Sequence, residues 1–181
     1  MEFEKTTLPG LYLVRSEIAR DPRGGFVRTF CHETFREAGI NFNPTQCSES
    51  INDRKGTLRG MHLQRAPGEE QKLVRCTRGQ IFDVAVDVRN NSPSFGQWYG
   101  VTLSEEDNLA LYIPKGFAHG FQTLEDYSTV AYSISPDYMA DLTSGFHWAD
   151  PTIRINWPLT APLVISERDS GLPILKDMNV S

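Results

Sequence analysis

Side chains that move protons or hold anions stand in or beside segments that otherwise read as apolar strand: His62, Lys72, Asp83, His119 and Tyr132, with Asp169 in a polar stretch near the C-terminus. Arg59 lies three residues before His62, and Lys72 lies ten residues after it. An imidazole can take a proton, lysine and arginine can hold developing negative charge, and a tyrosine can return a proton from another direction. That combination points to isomerisation or epimerisation. Each residue taken singly has a plainer reading. Arg59 and Lys72 could be solvated, His62 a satisfied half-buried histidine, Tyr132 a core tyrosine and Asp169 a surface carboxylate. The window around His62 leaves the two readings evenly balanced.

Other chemistries fare worse. A metal centre needs three or four converging ligands, and the position two after His62 is Gln64 rather than a second histidine. No metal site is expected. There is no GxSxG elbow, and Cys76 sits mid-strand without a neighbouring base. Neither GxGxxG nor GxxxxGK occurs.

Short strands punctuated by turns must position these groups. The apolar pattern predicts strands over 11–14, 26–30, 97–103, 109–113, 117–124 and 129–134, and further strands within 55–89. Turns are expected at 21–25, 90–93 and 114–116. A helix is expected over 33–38, stopped by Gly39, and Ser104 could cap a single turn with Asp107. A looser tail carries Pro136, Pro151, Pro158 and Pro162. This order excludes alternating βαβ folds and fits a sandwich, jelly roll or barrel whose mouth holds a small ligand. Arg59 and His62 would point to opposite faces of a regular strand, but Gly60 between them allows a bulge or kink that would bring both inward; a regular strand would leave only one of them in a shared site.

With 181 residues and no repeat or linker, a single domain over 1–181 is expected. The net charge of −5 and the lack of a basic tract argue against nucleic acid as a partner. No apolar run suits a membrane span, and the N-terminus MEFEKTTLPG lacks an apolar signal region, so a cytoplasmic protein is expected. Cys31, Cys47 and Cys76 read as reduced thiols.

The motifs Arg59-Gly-Met-His62, Lys72-Leu-Val-Arg-Cys, Gly79-Gln-Ile-Phe-Asp83-Val-Ala-Val-Asp87, Ser92-Pro-Ser-Phe-Gly-Gln-Trp98, Ile113-Pro-Lys-Gly-Phe-Ala-His119-Gly-Phe121 and Ser166-Glu-Arg-Asp169 closely resemble the dTDP-4-dehydrorhamnose 3,5-epimerase family. The resemblance runs from Pro9 to about Leu172. It implies an all-β, cupin-like jelly roll with one or two short peripheral helices, working without metal or cofactor as a homodimer that exchanges strands. The implied substrate is a nucleotide-diphosphate sugar with a 4-keto-6-deoxy ring, as in deoxysugar and rhamnose biosynthesis. Its C4 carbonyl acidifies the C3 and C5 hydrogens, because the carbanion spreads onto oxygen as an enolate.

By the same resemblance His62 is the base, Asp169 orients it, Lys72 faces the enolate oxygen and Tyr132 is the acid. Arg59, His119, Gln46 and Arg168 fall at substrate-binding positions, Tyr138 stacks on the base of the nucleotide, and Arg23 reaches the diphosphate across the dimer. Asp83 is a structural or supporting candidate. Arg28 and Thr143 stand where many members carry glutamate on the nucleotide side, which keeps a GDP- or CDP-linked sugar open beside dTDP. Inversion at one carbon rather than two also stays open, as does carbonyl migration. From another class, a silent sugar-nucleotide-binding jelly roll would use Arg59, Lys72 and Tyr138 for affinity alone. A metal-dependent cupin ranks behind it.

Overall fold

A computed structural model describes residues 1–161 and 164–178. Its strands are β1 (Glu2–Lys5), β2 (Tyr12–Arg15), β3 (Ile18–Asp21), β4 (Gly24–Val27), β5 (Gln46–Asn52), β6 (Leu58–Gln64), β7 (Gln71–Arg78), β8 (Gln80–Asp87), β9 (Trp98–Ser104), β10 (Leu109–Ile113), β11 (Phe117–Thr123), β12 (Ser128–Ser135) and β13 (Thr143–Gly145). The helices α1 (His32–Glu37) and α2 (Glu167–Ser170) are short and peripheral. Pro162, in the expected loose tail, lies outside the described residues.

Two antiparallel sheets face each other as a jelly roll. One runs β1-β2-β10-β7-β12-β5 and the other β13-β6-β11-β8-β9. The layer between them is built from Leu13, Val74, Leu111 and Val130 of the first sheet and Ile81, Ala85, Phe117 and Phe121 of the second. β8 reads as almost continuously apolar because both its faces are covered. Its Val84 and Val86 turn outward with Met61 and Leu63 beneath Phe146, Ile153 and Leu175 of the C-terminal segment. The first sheet is covered in the same way by Phe35 of α1, Ile40 and Phe42, which pack on Leu73 and Tyr112.

The bulge that Gly60 allows is present. His62 lies opposite His119 and Arg59 opposite Phe121, so three steps on β6 match two on β11. Residues two apart share a face of a strand, and Arg59 and His62 are thereby brought to the same side. Only glycine fits at position 60. Its φ is +133°, and a Cβ there would lie 2.6 Å from the Gly120 Cα and 3.0 Å from the His119 carbonyl oxygen.

Several elements differ from expectation. The strand expected over 26–30 is shorter and earlier: β4 pairs with β3 in a separate two-stranded hairpin, with Asp21 opposite Gly24. The turn is therefore only Pro22-Arg23, and the Asp21 carboxylate closes it by accepting the Arg23 amide at 2.8 Å. β5 was not expected, since QCSESIN offers almost no apolar alternation. At 104–107, by contrast, the expected single turn is present: the Asp107 carboxylate accepts the Ser104 amide at 3.1 Å, and the Asp107 amide donates to the Ser104 carbonyl at 3.4 Å. The helix α2 also lacked a hydrophobic signal, although Ser166 caps it by accepting the Asp169 amide.

Candidate active site

His62, Glu70, Lys72, Tyr138, Thr143 and Arg168 line a cavity of about 180 Å³ together with Leu63 and Gln64. Four sequence-predicted residues, His62, Lys72, Tyr138 and Arg168, thus meet in one place. β6 supplies His62, β7 supplies Lys72, and α2 supplies Arg168. A larger cavity of about 560 Å³ shares Leu63 and Gln64 with it but is otherwise lined by Pro9, Arg65, Glu69, Arg89 and Ser92 among others, and contains none of the histidine or tyrosine candidates.

Asp169 stands behind His62. Its Oδ1 is 2.7 Å from the His62 Nε2, and its Oδ2 accepts the Gly60 amide at 3.1 Å. The carboxylate therefore fixes both the imidazole and the bulge that presents it. Burial alone would raise the Asp169 carboxyl, but the hydrogen bond and charge of His62, the Gly60 amide and the Arg168 charge hold it below its ordinary value. With one ring nitrogen donating to Asp169, the other is left to accept a proton, and the carboxylate stabilises the imidazolium that results. The His62 side chain is 32% exposed against 6% for Asp169.

A second pair lies deeper. The His119 Nε2 is 2.7 Å from Asp83 Oδ1, with the side chains 5% and 0% exposed. Asp83 Oδ2 has no hydrogen-bond partner among the described residues. The Tyr132 ring meets His119 edge-on, 5.9 Å between centroids. Burial pushes the Tyr132 phenol well above its ordinary range, the Asp83 charge adds to this, and Arg59 opposes it. The phenol is a proton donor at neutral pH.

Register places the remaining candidates. Gln46 pairs with Ile134, which pairs with Lys72, so Gln46 and Lys72 share a face across three strands. The Arg59 Nε donates to Asn52 Oδ1 at 2.8 Å. Thr143, opposite Gln64, lines the cavity, whereas Arg28 points its Nη1 toward the Cys31 sulfur at 4.0 Å. Arg23 is not brought to the cavity by its own chain. It sits at the β3–β4 turn with its side chain 90% exposed and paired to Asp21.

Sequence reasoning missed Glu70 and Asn52. Glu70 was legible, because two residues before Lys72 is the spacing that puts both on one side of an extended chain. Asn52 carried no signal. Burial pushes the Cys76 thiol up to about 11, and its S–H donates to the Arg78 and Gly79 carbonyls, which leaves it inert. Among the described residues no group of three or more His, Cys, Asp or Glu side chains could hold a metal, and no helix is long and apolar enough to cross a membrane.

Comparison with known proteins identifies the family. The family model of dTDP-4-dehydrorhamnose 3,5-epimerase matches residues 5–177. The dTDP-4-dehydrorhamnose 3,5-epimerase of Methanothermobacter thermautotrophicus is 44% identical over 177 residues, covering 97% of this chain and 95% of the relative. The crystal structure of dTDP-6-deoxy-D-glucose-3,5-epimerase from Legionella pneumophila, in complex with dTDP-4-keto-L-rhamnose, superposes with a TM-score of 0.93 at 36% identity, covering 98% of this chain and 94% of that one. A 3'-monoepimerase from Streptomyces bikiniensis in complex with dTDP-quinovose gives a TM-score of 0.88 at 33% identity, covering 94% and 86%. The chain belongs to the dTDP-4-dehydrorhamnose 3,5-epimerase family and is a carbohydrate epimerase.

Proposed function

We propose that the chain, as a single jelly-roll domain, inverts C3 and C5 of dTDP-4-dehydro-6-deoxy-D-glucose to give dTDP-4-dehydro-L-rhamnose. His62 removes the proton beside the C4 carbonyl, and the electron pair of the broken C–H bond moves onto that oxygen as an enolate. Lys72 faces the enolate oxygen, and Tyr132 returns a proton to carbon from the other side, so that the centre inverts. Asp169 acts through His62, and Asp83 through His119.

The observation that carries this reading is the 2.7 Å pairing of a part-exposed His62 with a buried Asp169 at the wall of a cavity shared with Lys72. Affinity alone does not call for a histidine held ready to become an imidazolium, which counts against a silent binding module. The cavity volume of about 180 Å³ falls below the roughly 300–1,000 Å³ of pockets that enclose a drug-sized ligand. It accommodates the sugar ring, and the nucleotide lies along the rim with Tyr138, 58% exposed, as its stacking platform. The dTDP ligands of the Legionella and Streptomyces relatives favour dTDP over GDP or CDP.

The site is completed in a cytoplasmic homodimer that exchanges strands. The free-standing β3–β4 hairpin, with Phe26 74% exposed, supports this assembly and would carry Arg23 to the partner's diphosphate site. The 3'-monoepimerase neighbour keeps inversion at a single carbon as the second reading.

Proton NMR of the dTDP-linked 4-keto-6-deoxyglucose in deuterated water decides among these. Deuterium entering at C3 and C5, and lost in His62→Ala, is the expected result. Entry at one carbon selects the mono-epimerase. Exchange that persists in the variant removes His62 as the base, and no exchange by the parent protein leaves the binding module.

A further inference from the structure

Glu70 lines the same cavity as His62, Lys72 and Arg168, and the reaction proposed above gives it no task. Its Oε2 lies 2.8 Å from the Lys72 Nζ, with both side chains only 11% exposed. A substrate carrying a diphosphate brings several negative charges to a site whose lining cations are Lys72 and Arg168. A bare ammonium is a strong point charge with three donors and no preferred direction of approach, so it competes with the guanidinium for phosphate oxygens. Opposite charges in contact cancel much of each other's field at a distance. At close range the ammonium still has donors left for a carbonyl or enolate oxygen.

The geometry points to Glu70 as a specificity-determining residue that masks Lys72 from the diphosphate, so that the phosphates settle toward Arg168 and the 4-keto oxygen reaches Lys72. This rests on Lys72 being the cation of the enolate. Glu70 sets the direction in which a nucleotide sugar enters: sugar inward, phosphates at the rim. Without it, Lys72 offers a second phosphate site at the reacting end, and substrate or nucleotide product binds in an unproductive register.

The test is calorimetric binding of dTDP alone, beside steady-state turnover, for Glu70→Gln, Glu70→Asp and Glu69→Gln. Glu70→Gln is expected to bind dTDP about tenfold tighter, as one like charge removed close to a diphosphate implies, while kcat falls and KM does not rise. Glu70→Asp keeps the charge and returns both quantities toward the parent. Glu69→Gln makes the same change of net charge one residue away, in a different cavity, and leaves dTDP binding as it was. The inference is overturned if Glu70→Gln binds dTDP no tighter, or if Glu69→Gln tightens it equally. Because dTDP binding needs no turnover, a failure of proton transfer in the His62 experiment and a failure of the masking role remain separate results.

Discussion

Replacing Asp169 by asparagine tests the site with the least disturbance to its shape. The parent carboxylate makes a 2.7 Å contact with His62 and accepts the Gly60 amide at 3.1 Å. Asparagine keeps the size and one acceptor oxygen but loses the charge that favours an imidazolium. A hydrogen bond to a charged group contributes about 1.5–3 kcal/mol, and each 1.4 kcal/mol is a factor of ten, so deuterium exchange should slow about 10- to 150-fold. Binding of dTDP should change little. Asp169→Ala should be slower still and also less stable by about 1–3 kcal/mol, because the Gly60 amide is left without a partner. The pH dependence has a definite sign. A carboxyl lowered by folding contributes stability above its unfolded value, about 3.9, and loses it as pH falls below that. Asp169→Asn should therefore be less stable than the parent at pH 7, with the gap narrowing only as pH falls below the unfolded carboxyl value and through the lowered folded one. Exchange within threefold of the parent, measured by NMR at saturating substrate, would refute the role given to the pair.

The other expectations concern the acid and the bulge. Tyr132→Phe keeps the ring against His119 and removes the proton, so wash-in of deuterium should survive better than inversion; equal loss of both, followed by NMR and chiral product analysis, would count against Tyr132 as the acid. Gly60→Ala forces a Cβ to within 2.6 Å of the Gly120 Cα at a φ of +133°, which should cost roughly 2 kcal/mol or more in urea denaturation and misplace Arg59 relative to His62. Unchanged stability would mean that the bulge is not built as described.

The parts of the fold that were legible in the sequence are those where burial writes a pattern. β8, β10, β11 and β12 could be read because their apolar residues are packed on one or both faces. β5 could not, since it lies at a sheet edge, its residues are mostly polar, and even Ile51 is 69% exposed. Local chemistry was legible where it obeys strand spacing: the three-residue step from Arg59 to His62 showed that both could face one site only through a bulge or kink, and Gly60 allowed one. The pairing of His62 with Asp169 was not, because 107 residues separate them and α2 carries no hydrophobic periodicity. Only motif resemblance singled out Asp169. His119 and Asp83 lie on neighbouring strands, with Asp83 opposite Phe121 and His119 opposite Ala85. Their contact is diagonal and required the register to be known.

The two histidine–aspartate pairs show why composition alone could not assign roles. Both have the same 2.7 Å contact, and the Cα atoms of the two histidines sit in facing positions on β6 and β11. Environment separates them. His62 is part exposed at a cavity wall, so it can meet a substrate and exchange its proton with water between turnovers. His119 is sealed against Asp83 and the edge of Tyr132, where a mobile charge would have little solvent to stabilise it. The deeper pair therefore suits fixing the Tyr132 ring and keeping its phenol protonated, and the shallower pair suits taking the proton. Because His62 and His119 are partners across β6 and β11, both project from the same face of the sheet, and the depth at which each is buried, not the face it takes, divides their roles.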